Sequence, residues 1–162
     1  MIGMEEKLTH IDENGRPRMV NVGDKPDTKR IAVAKGSIYM APETLQRIKE
    51  GSIAKGDVLS VAQVAGIMAA KNTARNIPMC HNIFITGVEM DFQIDDEHSA
   101  VHIEASASTI GKTGIEMESL NAVSIAALTI YDMCKAIDRG MRITDIRLVK
   151  KDGGKSGLFV AE

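Results

Sequence analysis

The longest helical pattern in the chain, at 114–140 ("GIEMESLNAVSIAALTIYDMCKAIDRG"), most strongly limits the folds open to this sequence. Strand-like segments precede it at 99–109 and follow it at 142–151, so a mixed α and β fold is expected. Gly140 is expected to end the helix. Its apolar residues recur at helical spacing and predict a buried side formed by Leu120, Val123, Ala127, Leu128 and Tyr131.

The first half of the chain predicts one strand followed by two helices. The segment Arg30–Met40 alternates as a strand does, with a bulge at Gly36. The segment Pro42–Gly51 has the start and stop residues of a short helix. A second helix follows Asp57, which suits an N-cap, and closes just before Pro78. Its predicted buried stripe consists of Val58, Val61, Ala62, Ala65 and Met68.

The segments at 83–94 and 99–109 predict an antiparallel hairpin, and the segment at 142–151 predicts the final strand. The resulting order is typical of an α+β, ferredoxin-like split βαβ fold with an antiparallel sheet, here with an additional helix. We expect residues 29–150 to form this domain, after an extended N-terminal segment at 1–28 and before a flexible Gly- and Lys-rich tail at 151–162.

Composition excludes several classes of function. The chain has 162 residues, a net charge of −2, 3% aromatic residues and no Trp. It therefore lacks the basic field and the aromatic platforms that nucleic-acid binding uses. No window is apolar enough for a membrane span, and the start has no signal core. The two cysteines are too few for a zinc-type spacing and suit a reducing compartment. We expect a cytoplasmic protein that binds neither nucleic acid nor membranes.

The stretch "NIPMCH" at 76–81 places Cys80 beside His81 after a helix end. Adjacent side chains in an extended segment point to opposite faces, so the two do not form a nucleophile and its base. Cys80 is expected to be a buried small apolar residue. For His81 two interpretations stay open, a structural residue or a loop histidine that donates a hydrogen bond or moves a proton.

The tail "KKDGGKSG" at 150–157 looks like a phosphate loop but is not a Walker A motif, because Val149 stands where that motif needs Gly. Glycines with Lys150, Lys151 and Lys155 can still close around phosphates through amides and ammonium charges. A solvated, disordered tail is the other interpretation.

Two glutamates at the start of the long helix also have two interpretations. Thr113 and Glu116 fit the spacing of a capping box, in which Glu116 only bonds the helix start. Glu118 fits a solvent-facing helix residue.

Near the other end of the same helix, Asp132 and Lys135 lie three apart, where a surface ion pair is the default. Their apolar neighbours also suit an ion pair that holds a lysine ready for proton transfer. In an unbroken helix Glu118 and Asp132 are about 21 Å apart along the axis. Either the ligand is long, as a nucleoside triphosphate is, or different subunits contribute the two ends.

The blocks "IPMCH", "KTGIEMESLNAVSIAALTIYDMCKA" and "KDGGKSG", in this order, closely resemble the cyclic pyranopterin monophosphate synthase family of molybdenum cofactor biosynthesis. The similarity runs from Leu8 to Phe159. It implies a ferredoxin-like fold and homo-hexamers assembled as trimers of dimers, with sites at subunit interfaces. It also implies conversion of cyclic dihydro-GTP to cyclic pyranopterin monophosphate with release of pyrophosphate.

The resemblance implies roles for particular residues. Asp132, Lys135 and Lys55 match catalytic positions. Arg30, Lys151 and Lys155 are expected to bind the triphosphate, and Glu118 to support the site. Substrate-binding segments of the family match Met79, Cys80, His81, Glu116 and Met117. Asn82 stands where the family usually has proline, which predicts a looser loop around His81.

Lysines beside a carboxylate suit the proton transfers of this reaction, and clustered Lys and Arg suit the leaving pyrophosphate. No cofactor is expected to be required and no metal site is encoded, although Mg²⁺ can accompany the triphosphate. The competing hypothesis is a non-catalytic nucleotide-binding regulatory module, because ferredoxin-like folds host many regulators.

Overall fold

The structure, a computed structural model, describes residues 9–161. Its sheet has the strand order β2-β3-β1-β4-β5, with every neighbouring pair antiparallel. The predicted α+β, ferredoxin-like fold is therefore confirmed. Along the chain the elements are β1 (Thr28–Tyr39), α1 (Pro42–Lys49), α2 (Val58–Lys71), α3 (Thr73–Asn76), β2 (Ile85–Asp95), β3 (Ala100–Gly111), α4 (Glu116–Cys134), β4 (Arg142–Asp152) and β5 (Phe159–Val160).

The residues predicted to start the first two helices and to interrupt the first strand are largely confirmed. Pro42 opens α1, and the Asp57 carboxylate caps α2 by accepting a hydrogen bond from the Ser60 amide at 3.0 Å. The pairing of β1 with β4 shifts register between Lys35 and Ser37, which confirms the bulge at Gly36.

Two helix ends differ from the prediction. The second helix stops at Lys71 and, after Asn72, continues only as the short α3. The long helix ends at Cys134 rather than at Gly140. Beyond this end, the Asp138 carboxylate accepts hydrogen bonds from the Ala41 amide at 2.8 Å and the Thr44 hydroxyl at 3.2 Å. These bonds hold the chain after α4 against the start of α1.

The segment predicted as the last strand is followed by a further one. In β5, Phe159 pairs with Lys151 and Val160 with Lys150. The described part of the 151–162 segment therefore adds an edge strand to the sheet. The predicted domain boundaries, between residues 28 and 29 and between residues 150 and 151, stay a prediction. Residues 1–8 and 162 lie outside the described part.

The core lies between one face of the sheet and the packed pair α2 and α4. Ile38, Ile103 and Ile130 are among its fully buried side chains. The predicted stripes were wrong at Val61, Met68 and Leu128, which are exposed. Helices α2 and α4 pack closely through small residues instead, since a Cβ on Gly66 would lie 3.0 Å from the Ala122 carbonyl oxygen. Within the described residues, no helix is both long and apolar enough to cross a bilayer.

Candidate active site

Three charged side chains meet at the carboxyl end of α4. The Lys135 ammonium lies 2.6 Å from Asp132 Oδ1, and the Lys55 ammonium lies 2.9 Å from Asp132 Oδ2. Lys55 also donates to the Asp132 main-chain carbonyl at 2.9 Å. That carbonyl is in the last turn, where helix carbonyls lack intrahelical partners. The structure thus brings all three residues predicted to be catalytic into one cluster, the lysine–aspartate cluster.

The loop between α1 and α2 positions Lys55 at this cluster. Lys55 lies in the loop between α1 and α2, where Gly56 adopts φ +107°, a conformation that favours glycine. Asp57 then starts α2 as its N-cap. The predicted ion pair of Asp132 and Lys135 exists and is half exposed, and Lys55 is its third member.

The electrostatics of the cluster favour an ionised carboxylate. Hydrogen bonds from Lys135, and then from Lys55, lower the pKa of Asp132 to about 2. The side chains of the three residues are 48–57% exposed, so the two ammonium groups can exchange protons with a ligand or with water. The arrangement suits general acid–base chemistry on a ligand that reaches the surface.

A cationic cavity of about 840 Å³ lies near the opposite end of α4. Five of its lining side chains are cationic, and Glu116 is the acidic one among the lining residues. Such a cavity suits a polyphosphate. The lining residues are Lys25, Pro26, Thr28, Arg30, Lys112, Thr113, Gly114, Glu116, Lys151, Gly154, Lys155 and Ser156.

Arg30 is held in place by main-chain atoms on two sides. Its guanidinium donates to the carbonyls of Gly111 at 3.0 Å and Lys112 at 3.2 Å. On the other side, Gly154 adopts φ +77°, and a Cβ there would lie 2.1 Å from Arg30 Nη1. The glycine pair predicted from "DGGKSG" therefore lets the chain approach the arginine closely.

Glu116 does not form the predicted capping box. Ile115 is the N-cap of α4, with no side-chain cap, and Glu116 is the first helical residue. Its carboxylate instead lies 3.4 Å from the Lys151 ammonium, which also bonds the Ser156 hydroxyl. Glu116 thus orients a cavity lysine.

Glu118 is buried rather than solvent-facing, with 2% of the residue exposed. Burial, with a smaller contribution from the Glu116 charge, raises the pKa of Glu118 to about 7. A carboxyl group with that pKa can hold or release a proton near neutral pH. The interpretation of Glu118 as a solvent-facing helix residue is therefore wrong.

The loop before β2 lies beside Glu118. Cys80 is half-buried rather than fully buried, and burial, with the nearby Glu118 charge, raises the pKa of its thiol. A raised pKa keeps the thiol protonated, which argues against a nucleophile. His81 Nε2 lies 2.5 Å from the Val20 carbonyl oxygen, so this nitrogen carries the proton. This bond anchors the ring despite Asn82.

The remaining predicted residues are placed as follows. Met79 is half-buried in the turn after α3, and Met117 is 37% exposed on the first turn of α4. Lys155 is exposed at the cavity. Their contacts with a ligand stay predictions, as do the binding roles of the other residues.

Two cavity lysines were missed by sequence reasoning. Lys25 lies in an irregular segment, and Lys112 was visible only as part of the "KTG" junction. Within residues 9–161, no group of three or more His, Cys, Asp or Glu side chains is arranged to hold a metal ion.

Comparison with known proteins assigns the chain to a family. The MoaC family model matches residues 19–154. A cyclic pyranopterin monophosphate synthase of Thermoanaerobacter sp. (strain X514) is 66% identical over 155 residues, covering 96% of this chain and 98% of that protein. The Clostridium acetobutylicum protein of the same name is 63% identical over 156 residues, covering 96% and 97%. Both are similar over nearly their whole length. This chain belongs to the MoaC family, the family of cyclic pyranopterin monophosphate synthases that its motifs resemble.

Proposed function

We propose that this protein converts cyclic dihydro-GTP to cyclic pyranopterin monophosphate with release of pyrophosphate, within molybdenum cofactor biosynthesis in the cytoplasm. The observation that carries the proposal is the lysine–aspartate cluster, in which two ammonium groups bind the opposite oxygens of the Asp132 carboxylate. A binding module needs cations for the phosphates, but it does not need this second cluster at the far end of α4.

The cationic cavity is the proposed site for the triphosphate. A ribose hydroxyl attacks the α-phosphorus and gives up its proton to solvent, the bond from that phosphorus to the bridging oxygen breaks, and pyrophosphate leaves with the electron pair. Arg30, Lys151 and Lys155 stabilise the charge that grows on the leaving group. Glu118, which is buried in the first turn of α4, is proposed to support this part of the site.

The lysine–aspartate cluster is the proposed site for the purine part of the substrate. Rearrangement of a purine into a pterin breaks C–N bonds and requires protons at amine and carbonyl positions. Lys55 and Lys135 supply these protons, and the Asp132 carboxylate orients both ammonium groups and stabilises their charged forms. If Mg²⁺ accompanies the triphosphate, it is bound by the oxygens of the substrate.

A ligand reaches both clusters either because it is as long as a nucleoside triphosphate or because two subunits contribute to one site, and we propose the second arrangement. Helix α4 runs unbroken from Glu116 to Cys134, and its residues Glu118 and Asp132 are about 21 Å apart along the axis. We therefore propose a homo-oligomer, a hexamer built as a trimer of dimers. In it the cavity of one subunit faces the lysine–aspartate cluster of another.

The test supplies cyclic dihydro-GTP to the purified protein and follows pyrophosphate release together with pterin fluorescence after oxidation. We expect both products in equal amounts, and we expect Lys135→Ala to release neither while still binding inorganic tripolyphosphate. Binding of the nucleotide without either product would contradict the proposal and would favour the regulatory module.

A further inference from the structure

One wall of the cationic cavity comes from the irregular segment that precedes β1. We call residues 20–27 the N-terminal strap. Lys25 and Pro26 of the strap line the cavity, next to Thr28 at the start of β1. Two hydrogen bonds lie within the strap, from the Lys25 amide to the Val22 carbonyl at 3.1 Å and from the Gly23 amide to Asn21 Oδ1 at 2.8 Å.

The strap is attached to the rest of the chain by two side chains. The Lys112 ammonium donates to the Gly23 carbonyl at 3.0 Å and to the Lys25 carbonyl at 2.5 Å. His81 Nε2 donates to the Val20 carbonyl. Among residues 9–161, these three are the hydrogen bonds shown between the strap and other segments. Lys112 therefore fixes the part of the strap that lines the cavity.

The two lysines of this wall differ in what their ammonium groups bind. Lys112 uses two of its three N–H donors on main-chain carbonyls, which orient its charge towards the strap. The Lys25 ammonium makes no hydrogen bond or ion pair that the structure shows within residues 9–161, and Lys25 lines the cavity. Its three donors are available to an anionic ligand.

We propose that Lys25 is a further triphosphate-binding residue, and that Lys112 is a positioning residue that holds the strap so that Lys25 reaches the phosphates. This rests on the proposed function for the nature of the ligand. A charge-assisted hydrogen bond to phosphate is strong enough to matter for affinity, but only when the ammonium is held near the ligand. The two hydrogen bonds from the Lys112 ammonium to the strap meet that condition.

The first test measures binding of inorganic tripolyphosphate by calorimetry. Lys25→Met removes the charge and keeps a long side chain, and we expect about a tenfold loss of affinity with a smaller salt dependence. Lys49→Met is the matched control, since Lys49 pairs with Asp96 outside the cavity. Equal affinities of Lys25→Met and the control would overturn the role of Lys25.

The second test asks whether Lys112 acts through the strap. Endoproteinase Asp-N cuts before Asp24, which lies between the two carbonyls that Lys112 binds. We expect Lys112→Met to speed this cleavage several-fold and Lys112→Arg to restore protection, because Arg can still donate to both carbonyls. Unchanged cleavage in Lys112→Met would overturn the positioning role.

A double-mutant cycle separates positioning from a direct charge effect. If Lys112 acts through the strap, Lys25→Met weakens tripolyphosphate binding far less in the Lys112→Met background than alone. Additive losses would show that Lys112 acts by its own charge and would overturn the inference. These tests use no turnover, so the inference can fail while the proposed reaction stands. If the double-mutant cycle shows coupling but the protein releases no pyrophosphate, the role of the strap stands and only the proposed reaction is refuted.

Discussion

The Lys55 ammonium donates two hydrogen bonds to Asp132, one to its carboxylate and one to its main-chain carbonyl, both at 2.9 Å and across 77 positions of sequence. Because Lys135 takes the other carboxylate oxygen, Asp132 fixes the relative position of two ammonium groups. A change at Asp132 therefore removes the orientation of both lysines at once.

Asp132→Asn is expected to fold normally and to lose turnover by at least about 100-fold, since general acid–base groups contribute at that level. The amide keeps the shape of the side chain but carries no charge, and its NH₂ group cannot accept a hydrogen bond from an ammonium. Lys55→Ala and Lys135→Ala should lose turnover similarly. The measurement is the steady-state rate of pyrophosphate release, with the melting temperature as the check on folding. A rate for Asp132→Asn near that of the unmodified protein would contradict the assigned role.

Gly154→Ala is expected to raise the KM for the triphosphate substrate several-fold with a smaller effect on kcat. The new Cβ would lie 2.1 Å from Arg30 Nη1 and would displace the guanidinium from the cavity. Gly157→Ala is the matched control, because Gly157 has a similar φ of +64° but no atom within 4 Å of such a Cβ. Equal KM values for the two variants would show that backbone strain, and not the position of Arg30, governs binding.

The buried carboxyl of Glu118 predicts a pH-dependent stability. Its folded pKa of about 7 exceeds the ordinary value of 4.5, so the folded state binds this proton more tightly than the unfolded state does. The resulting stabilisation is complete below pH 4.5 and is lost as the pH rises through 7. The loss is on the order of 3 kcal/mol in the free energy of unfolding.

Glu118→Gln provides the comparison, because the amide cannot ionise. We expect urea midpoints of the unmodified protein to fall relative to those of the variant between pH 5 and pH 8, the range on both sides of the folded pKa of about 7. Parallel pH profiles for the two proteins would mean that Glu118 does not titrate in this range.

The loop before β2 predicts opposite outcomes for two adjacent residues. Cys80→Ser should stay active, because the pKa of the thiol is raised and no step requires a thiolate. His81→Ala should reduce rate or binding, since it removes the bond from Nε2 to the Val20 carbonyl along with the ring. Steady-state kinetics of both variants decide this. A folded but inactive Cys80→Ser would restore the nucleophile hypothesis.

The sequence was sufficient for the order of the main elements, but not for α3 and β5, and its patterns pointed to the ion pair of Asp132 and Lys135. Caps and breakers such as Pro42 and Asp57 act locally, so they are visible in the sequence and the structure confirms them. The family resemblance supplied Lys55, which no spacing argument connects to Asp132. The end of α4 at Cys134 was missed, and the bonds that hold Asp138 against Ala41 and Thr44 are long-range and not visible as a local pattern.

The burial errors have a related cause. Helical spacing marks Leu128 and Glu118 as an apolar and a polar position, but the packing of α2 against α4 leaves Leu128 52% exposed and Glu118 2% exposed. Periodicity gives the approximate direction of a helix face, while the partner that covers it decides which residues are buried. The same limit hid Lys112, whose partners lie in the N-terminal strap.

Subunit complementation tests most directly whether the two clusters form one site. One inactive protein carries Asp132→Asn, and the other carries Arg30→Met with Lys151→Met. After mixed reassembly, shared sites with both halves intact should return about a quarter of the unmodified rate of pyrophosphate release. No recovery, in assemblies shown to contain both variants, would contradict a site that joins the cavity of one subunit to the lysine–aspartate cluster of another.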